Sequence, residues 1–566
     1  MEGRRQWLFR IHAWIGVNAA LLIFLACLSG TIAVFSHELE WLADPVRRAA
    51  PPAGADLHGF SWQRTVDAVE NTFPDVLVLR VRAPAGPRWS ARVAIAPRRG
   101  DIRLVFVDPY SYEVKGQRST FGIASFLRIF HKQFYLIPPV IGFHGVLIVG
   151  VIGLLVLISS ITGILSYRRW WRAFTRVRFG KSPRAFWSDV HRQVGVWALV
   201  VSLLLSLTGI WYLAEYLLAA ADIIGEEPGR PKLEAAFIRD VPATTGRIDL
   251  DRAAAIAAAT LPGLEPGYAM LPVRPGDPLT VVGQAEAWVV RDRANQVHLV
   301  PATGEVIGVR RGTGLGLFER WVETADPLHF GTFGGLGTQI LWFVSGLGLC
   351  IGVVTGVYGV LLRQRRRGQR PAWRWRGAAA LLPGAAVVLA SAHGAWVYGV
   401  PQQTRTEHAI AYRPLGQLQA GPWELSAVWP IVDGRDSSSI VLRFPRGHYP
   451  NVAATAWTGT SAAPPPGAPP PRLFADRIAV RVADSSAGCG TPCVLNVRID
   501  AAGGARYTAS MTLPGPDGTA VRDVRHMPPA PPLPPGVVAV IAVFAMLALS
   551  PVALWARVLF RTRVTS

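Results

Sequence analysis

The stretch HAWIGVNAALLIFLACLSG, His12 to Gly30, is matched by HRQVGVWALVVSLLLSLTG, His191 to Gly209. In both, Gly-Val stands four and five residues after the histidine, and Ser/Thr-Gly seventeen and eighteen after it. Such a chain is constrained twice over: it is apolar enough to enter a bilayer, and it is duplicated. Half of its 566 residues are hydrophobic, with a mean hydropathy of +0.28. These residues are clumped into windows at about 13–36, 138–167, 190–214, 333–362, 377–400 and 536–556. The third contains a single charge, Arg192; the others contain none. A helix needs about 20 apolar residues to cross a hydrocarbon core of about 30 Å, so the pattern predicts an α-helical polytopic membrane protein with six spans. The first apolar run is too long for a signal-peptide core and has no clear cleavage site, so it reads as an uncleaved span.

The net charge of +21 would suit a nucleic-acid binder, but its distribution does not. Arg168, Arg169, Arg172, Arg176, Arg178, Lys181 and Arg184 follow the second window, and Arg363 to Arg376 follow the fourth. Arg557, Arg561 and Arg563 close the chain. Basic residues in short loops mark the cytoplasmic side, and every basic loop here falls on the side of the N-terminus. The expected layout has both termini inside a bacterial inner membrane, with the lipid bilayer as partner and no nucleic acid. Its segments are a span in 1–36, an external domain over 37–137, a span at 138–167, a basic loop at 168–186 and a span at 187–214. A second external domain covers 215–332, followed by a span at 333–362, a basic loop at 363–376 and a span at 377–400. A third external domain covers 401–535, and 536–566 holds the last span and tail.

The external segments repeat as well. The first has a helical stretch, WQRTVDAVENTF, then alternating strand-like runs ending in VDPYSYEVKG. The second has DLDRAAAIAAATLP, then strands ending in LVPATGEVIG. Each reads as a helix on a small antiparallel sheet. The unit is therefore span, α+β domain, amphipathic approach, span, basic loop, over roughly 1–185 and 186–376. An even number of spans per unit makes the repeat parallel, about an axis normal to the membrane. The third external domain is rich in short strands. It also holds CGTPC, whose Cys489 and Cys493 suit a small disulfide on an oxidising side. Cys27 and Cys350 fall inside spans and read as packing residues.

Ionisable groups at membrane depth are costly and mostly functional. His12 and His191 occupy matched positions, and the parallel two-fold places them face to face. His131, in FLRIFHKQF, and His329, in ADPLHFGTF, precede the second spans of the two units. His144 lies within the second span, in GFHG, and competes with His131 for the external site. His37 shares a helical face with His12, 25 residues on. Two symmetry-related imidazole pairs, one toward each surface, are what two haem b groups need as axial ligands. Gly16, Gly195, Gly163 and Gly356 would let helices or a flat ring approach closely. No local zinc spacing is present. The candidate cofactor-binding residues are thus His12, His191, His131, His329 and His144, the first four as axial ligands of haem iron.

The same motifs resemble the PepSY-associated transmembrane family, which includes iron-regulated membrane proteins and ferric-siderophore reductases. They are His12 with Trp14 and Gly16; FHKQF with VGVIGLLVLISSITGI; FWSDVHRQVGVW; and PLHFGTFGG with LWFVSGLGLC and VTG, spread over about 5–365. The resemblance implies PepSY-like periplasmic domains and haem ligation by His12, His131, His191 and His329. It includes neither His144 nor His37. Some relatives have a histidine where this chain has Tyr167, so a ligand there is lacking. The expected function is electron transfer from a cytoplasmic or quinol donor to a periplasmic ferric-siderophore or other acceptor, a haem-dependent metalloreductase. No GxGxxG follows a strand, so a nicotinamide site in the chain itself is not expected. The competing reading is a non-enzymatic scaffold whose PepSY-like domains bind a periplasmic partner or protease.

Overall fold

The structure is a computed structural model. It describes residues 2–560 apart from 74–75, 97–101, 137–143, 168, 176, 180–181, 222, 224–247, 273–276, 367–381, 405–409, 433–434, 437–438, 444–450, 459–471, 475–476, 482–492, 501–505, 514–522 and 526–531. The first repeat holds helices α1 (Glu2–Asn18), α2 (Ala20–Ala33), α3 (Ser36–Ala43), α4 (Trp62–Thr72), α5 (Ile123–Gln133) and α6 (Val146–Ser166). Its strands are β1 (Leu77–Arg82), β2 (Ala91–Ala96), β3 (Arg103–Val107) and β4 (Val114–Ser119). The second repeat holds α7 (Pro183–Trp197), α8 (Leu199–Ala220), α9 (Leu250–Thr260), α10 (Leu317–Phe330) and α11 (Gly335–Arg366). Its strands are β5 (Glu265–Met270), β6 (Leu279–Gln284), β7 (Gln296–Leu299) and β8 (Val306–Arg310). The added part contributes α12 (Leu382–Thr404), α13 (Pro535–Phe560) and a β domain between them.

Helices α6, α8, α11 and α13 are each long and apolar enough to cross a membrane, and α1 with α2 makes a fifth if the bent pair is one span. They expose apolar side chains such as Val151, Leu154, Val200, Leu347 and Met546, a surface that lipid covers. Trp7, Trp14, Trp170, Trp171 and Trp197 are exposed toward the basic loops, where an interfacial aromatic belt belongs.

Two predicted spans differ from the sequence reading. The first is broken at Ala19, and its halves meet at 72°. The Asn18 amide donates to the Trp14 carbonyl and helps close α1 there. The third also breaks, at Ala198, seven residues after His191 as Ala19 is seven after His12. Its crossing helix is α8, at 199–220 rather than 187–214. Helix α7 is a separate amphipathic piece, started by Ser182 capping the Ala185 amide and Pro183 in the first turn. Its Asp189 is buried, and it takes Arg178 and Arg192. In the fifth window, helix α12 includes the apolar stretch Gly384–Ala395.

The bundle interlocks the repeats. Helix α2 packs on α11 and α8 on α6, across copies; α1 packs on α6 and α7 on α11, within them. Outside the bundle the two α+β halves are one body rather than two small sheets. Their strands form a single eight-stranded sheet in the order β4-β3-β2-β1-β5-β6-β7-β8. The join is antiparallel, with Arg80 opposite Met270, Val81 opposite Ala269 and Arg82 opposite Tyr268. Val81 and Ala269 are both fifth in their strands, so the pseudo-two-fold passes between them. The two sheet helices meet the same way. Asp251 accepts the Trp62 amide and the Ser61 hydroxyl, while Gln63 accepts the Leu250 amide. Each helix start is thus capped by a side chain of the other.

The third domain packs two sheets around Trp429, Leu425, Ile440, Leu495 and Val497. One contains strands Ile410–Ala420, Trp423–Val432, Ser439–Arg443 and Arg477–Arg481; the other contains Asn451–Thr458, Cys493–Asp500 and Arg506–Leu513. The proposed disulfide partner Cys489 lies outside the described residues. Cys27 and Cys350 are unbridged thiols within the bundle. Helix α13 sets Phe544 against Phe126 and Phe130 of α5 and also packs on α2, α3 and α11, so it touches both repeats.

Candidate functional site

His12 on α1 and His191 on α7 face each other with ring centroids 6.0 Å apart and planes inclined at 57°. His131 on α5 and His329 on α10 do the same at 5.9 Å and 45°. The four histidines of the repeated motifs therefore form two pairs, each joining the two copies.

Each pair is held by the Ser/Thr-Gly turns of the spans. The His12 Nδ1 donates to the Ser159 carbonyl at 2.9 Å, and the His191 Nδ1 to the Gly352 carbonyl at 2.8 Å. The His131 Nδ1 donates to the Ala26 carbonyl at 3.0 Å. A carbonyl oxygen only accepts, so in these three rings Nδ1 carries the proton and Nε2 keeps its lone pair. His329 reaches the same state by another route. Its Nδ1 lies 2.8 Å from Thr208 Oγ1, whose own proton goes to the Leu204 carbonyl.

The glycines explain why the rings come so near. A carbonyl and the residue four positions on share a helix face, and Ser159, Gly352 and Ala26 are each followed at that spacing by Gly163, Gly356 and Gly30. A Cβ there would stand 3.1 Å from His12 Cε1, 3.0 Å from His191 Cε1 and 2.8 Å from His131 Cε1 respectively. Gly16 and Gly195 play a different part: no atom lies within 4 Å of where their Cβ would be. Each is one turn beyond its histidine on the same helix face, leaving room beside the ring.

The outer pair is fixed by its approach helices. Helix α5 starts where Glu40 accepts the Ala124 amide, and ends at Phe134 with φ 50°. In α10 the fully buried Glu323 takes Arg291 at 2.8 Å, Arg293 at 3.1 Å and Arg310 at 3.1 Å. Those arginines come from the sheet half, so the network ties the His329 helix to it. Burial pushes His131 and His329 below the ordinary histidine range, His329 to about 3, with His131 adding to the effect. Both imidazoles are therefore neutral at physiological pH, the state in which nitrogen ligates a metal.

The pairs are stepped along the bundle. On α6, Gly153 abuts the Gly209 backbone, at the level of His329, and six to ten residues later Ser159 and Gly163 meet His12. At 1.5 Å per residue the step is about 9–15 Å. The two pairs are thus nearer each other than the roughly 30 Å thickness of a hydrocarbon core.

The remaining candidates lie elsewhere. The His144 ring meets Tyr216 edge-on at 5.7 Å, and it is His131 that faces His329. His37, on α3, lines a cavity beneath the sheet. Burial, then Arg92, Arg128, Arg47 and Arg82, push its pKa down to about 4. His298 is buried in β7 beside Thr280, and His58 is exposed. Among the described residues no group of three or more His, Cys, Asp or Glu could hold a bare metal ion. Paired imidazoles suit instead a metal whose other ligands come from a macrocycle. Metal–imidazole bonds are about 2.0 Å, and Nε2 lies roughly 1.1 Å from its ring centroid. Two rings on opposite sides of one metal therefore have centroids about 6 Å apart, the spacing seen in both pairs.

Comparison with known proteins agrees with this architecture. The profile of the PepSY-associated TM region matches residues 9–363, from just before His12 to the end of the fourth window. An uncharacterized protein of Pseudomonas aeruginosa is 29% identical over 314 residues, covering 52% of this chain and 73% of that protein. The chain belongs to the PepSY-associated TM family.

Proposed function

We propose that this member of the PepSY-associated TM family is a di-haem transmembrane electron carrier that reduces an acceptor on the sheet side. One haem b would be held by His12 and His191, a second by His131 and His329. The observation that carries this reading is the pair of ring spacings, 6.0 and 5.9 Å, with Nδ1 engaged and Nε2 left for a metal. A haem at each pair would supply a one-electron Fe(III)/Fe(II) couple.

The chain's own groups set the conditions. Ser159, Gly352, Ala26 and Thr208 fix the tautomer and ring orientation, and such outer partners also raise the basicity of the ligating nitrogen. Gly30, Gly163 and Gly356 give the rings access to those acceptors. The apolar spans exclude water. The basic loops orient the chain with the sheet in the periplasm. The donor is then a quinol or a cytoplasmic reductase, and the acceptor a ferric-siderophore complex. Fe(II) is held more weakly than Fe(III) by hard oxygen donors, so reduction releases the metal.

The test is the absorption spectrum of the purified full chain, produced with haem precursor and reduced with dithionite. A six-coordinate haem b spectrum at two haems per chain is expected. A colourless, folded protein overturns the proposal.

A further inference from the structure

Between the bundle and the sheet lies a cavity of about 340 Å³, within the size range of small-molecule sites. Its walls come from both repeats. Arg82 and Tyr268, opposite each other across the β1–β5 join, form part of the roof. Arg128, Arg291, Arg293 and His37 complete the polar lining.

The cavity is next to the outer histidine pair. Phe330 lines it and meets His329 ring to ring at 5.7 Å. Asp326 lines it and accepts the hydroxyl of Tyr212, whose ring is 5.1 Å from His329. Ala33 lines it one turn beyond Gly30, which abuts His131.

Its charge is unbalanced. Four arginines face two carboxylates, Asp292 and Asp326, leaving two positive charges in excess. Glu323 lies behind the wall, and Arg310 accompanies it, so counting both leaves the excess unchanged. Arg291 and Arg293 are engaged with Glu323. Arg82 meets Asp292 only at 3.6 Å, and its Nε is buried with no hydrogen-bond partner. The Arg128 guanidinium lies 5.0 Å over the Phe330 ring, and among the described residues no carboxylate is within ion-pair distance of it.

We propose that this cavity is an anion-selective acceptor site: it takes a carboxylate-rich, negatively charged ferric chelate, with Arg82 and Arg128 as its anchors, and excludes cationic chelates. The electron-transfer part rests on the function proposed above. In that step Fe(III) in the chelate gains one electron and becomes Fe(II). Two such reductions balance the oxidation of one quinol to quinone with release of two protons. Arg82 belongs to β1 and its side chain lines the cavity, so the binding surface is a pocket rather than an open strand face.

The same carboxylate chemistry has a second source, the propionates of a bound porphyrin, and the experiment separates the two. Binding of ferric citrate and of cationic ferrioxamine B to the full chain in detergent is measured by calorimetry, alongside the absorption spectrum. We expect wild type to prefer the anionic chelate at least tenfold. The R82Q/R128Q double variant should lose that preference with its spectrum unchanged. Equal affinity of wild type for both chelates overturns the proposal. Loss of haem absorbance in the variant with anion affinity retained also overturns it, assigning the arginines to the cofactor's carboxylates. A colourless protein that keeps arginine-dependent anion binding sustains the cavity site while sinking the electron-transfer reading; a haem-bearing protein indifferent to chelate charge does the reverse.

Discussion

His191 donates its Nδ1 hydrogen to the Gly352 carbonyl over 2.8 Å, and Gly356, four residues on, has no side chain to keep the ring away. The same device, a carbonyl with a glycine one turn later, serves His12 and His131. His329 uses a threonine hydroxyl instead. That difference makes the sites separately testable.

Single histidine variants should divide the cofactor. His191→Ala or His12→Ala is expected to remove one of two haems and leave the other spectrum intact. His131→Ala or His329→Ala should remove the second, and His191→Ala with His329→Ala should give a colourless protein. His144→Ala should leave both in place. Haem-to-protein ratios by pyridine haemochrome decide it; retention of both haems in His131→Ala would refute the assignment.

Glycine variants test the close approach. In Gly30→Ala the new methyl would stand 2.8 Å from His131 Cε1, so the ring must shift and the outer site's spectrum and midpoint potential with it. Gly209→Ala, at the matching position, meets nothing within 4 Å and should be silent. Electron paramagnetic resonance of the oxidised protein reads this directly. Equal perturbation by both variants would contradict the packing.

Thr208→Val removes the only acceptor described for the His329 Nδ1 while keeping the shape. Loss of such an outer partner costs about 10–100-fold in metal affinity. We expect faster haem loss from the outer site alone, followed by transfer to apomyoglobin. Unchanged kinetics would mean that Thr208 does not orient the ring.

Glu323 is fully buried among three arginines. Removing one partner from a buried ion network costs about 3–5 kcal/mol, so Glu323→Ala should lower the thermal midpoint in detergent and disorder the outer site first. Glu323→Gln, which keeps hydrogen bonds to the arginines, should cost less. A stability indifferent to both changes would show the network to be incidental.

Cross-capping by Asp251 links the two sheet halves. Caps are worth about 1 kcal/mol, up to about 2, and Asp251→Ala also strands the Ser61 hydroxyl. We predict destabilisation of that order and faster proteolysis at the start of α4, with the histidine sites unaffected. Resistance equal to wild type would argue that the β1–β5 pairing alone holds the halves together.

Much of this was written into the order of residues. The matched His-x₃-Gly-Val and Ser/Thr-Gly spacings at 12–30 and 191–209 announce a duplication, and charge-poor windows announce helices in lipid. Both signals are local and periodic, so they need no knowledge of partners. The helix breaks were not legible. Ala19 and Ala198 are good helix formers within apolar runs, and hydropathy has no term for direction. The role of the Ser/Thr-Gly turns was equally hidden, because each serves a histidine more than 100 residues away in sequence, or on the other side of a whole domain. The merger of the two sheets was missed because any strand has two edges, and alternation of side chains does not say which edge is paired.

The sequence by itself determined a duplicated membrane chain, histidines at matched positions of the two copies and short loops rich in arginine. Only the tertiary structure decided that His131 rather than His144 meets His329, that three rings are fixed through carbonyls and the fourth through Thr208, and that arginines of both repeats converge on one cavity. Periodicity and charge act along the chain and can be read there. Which atoms lie within 3 Å of each other depends on how distant helices cross, and that is settled only when all of them pack at once.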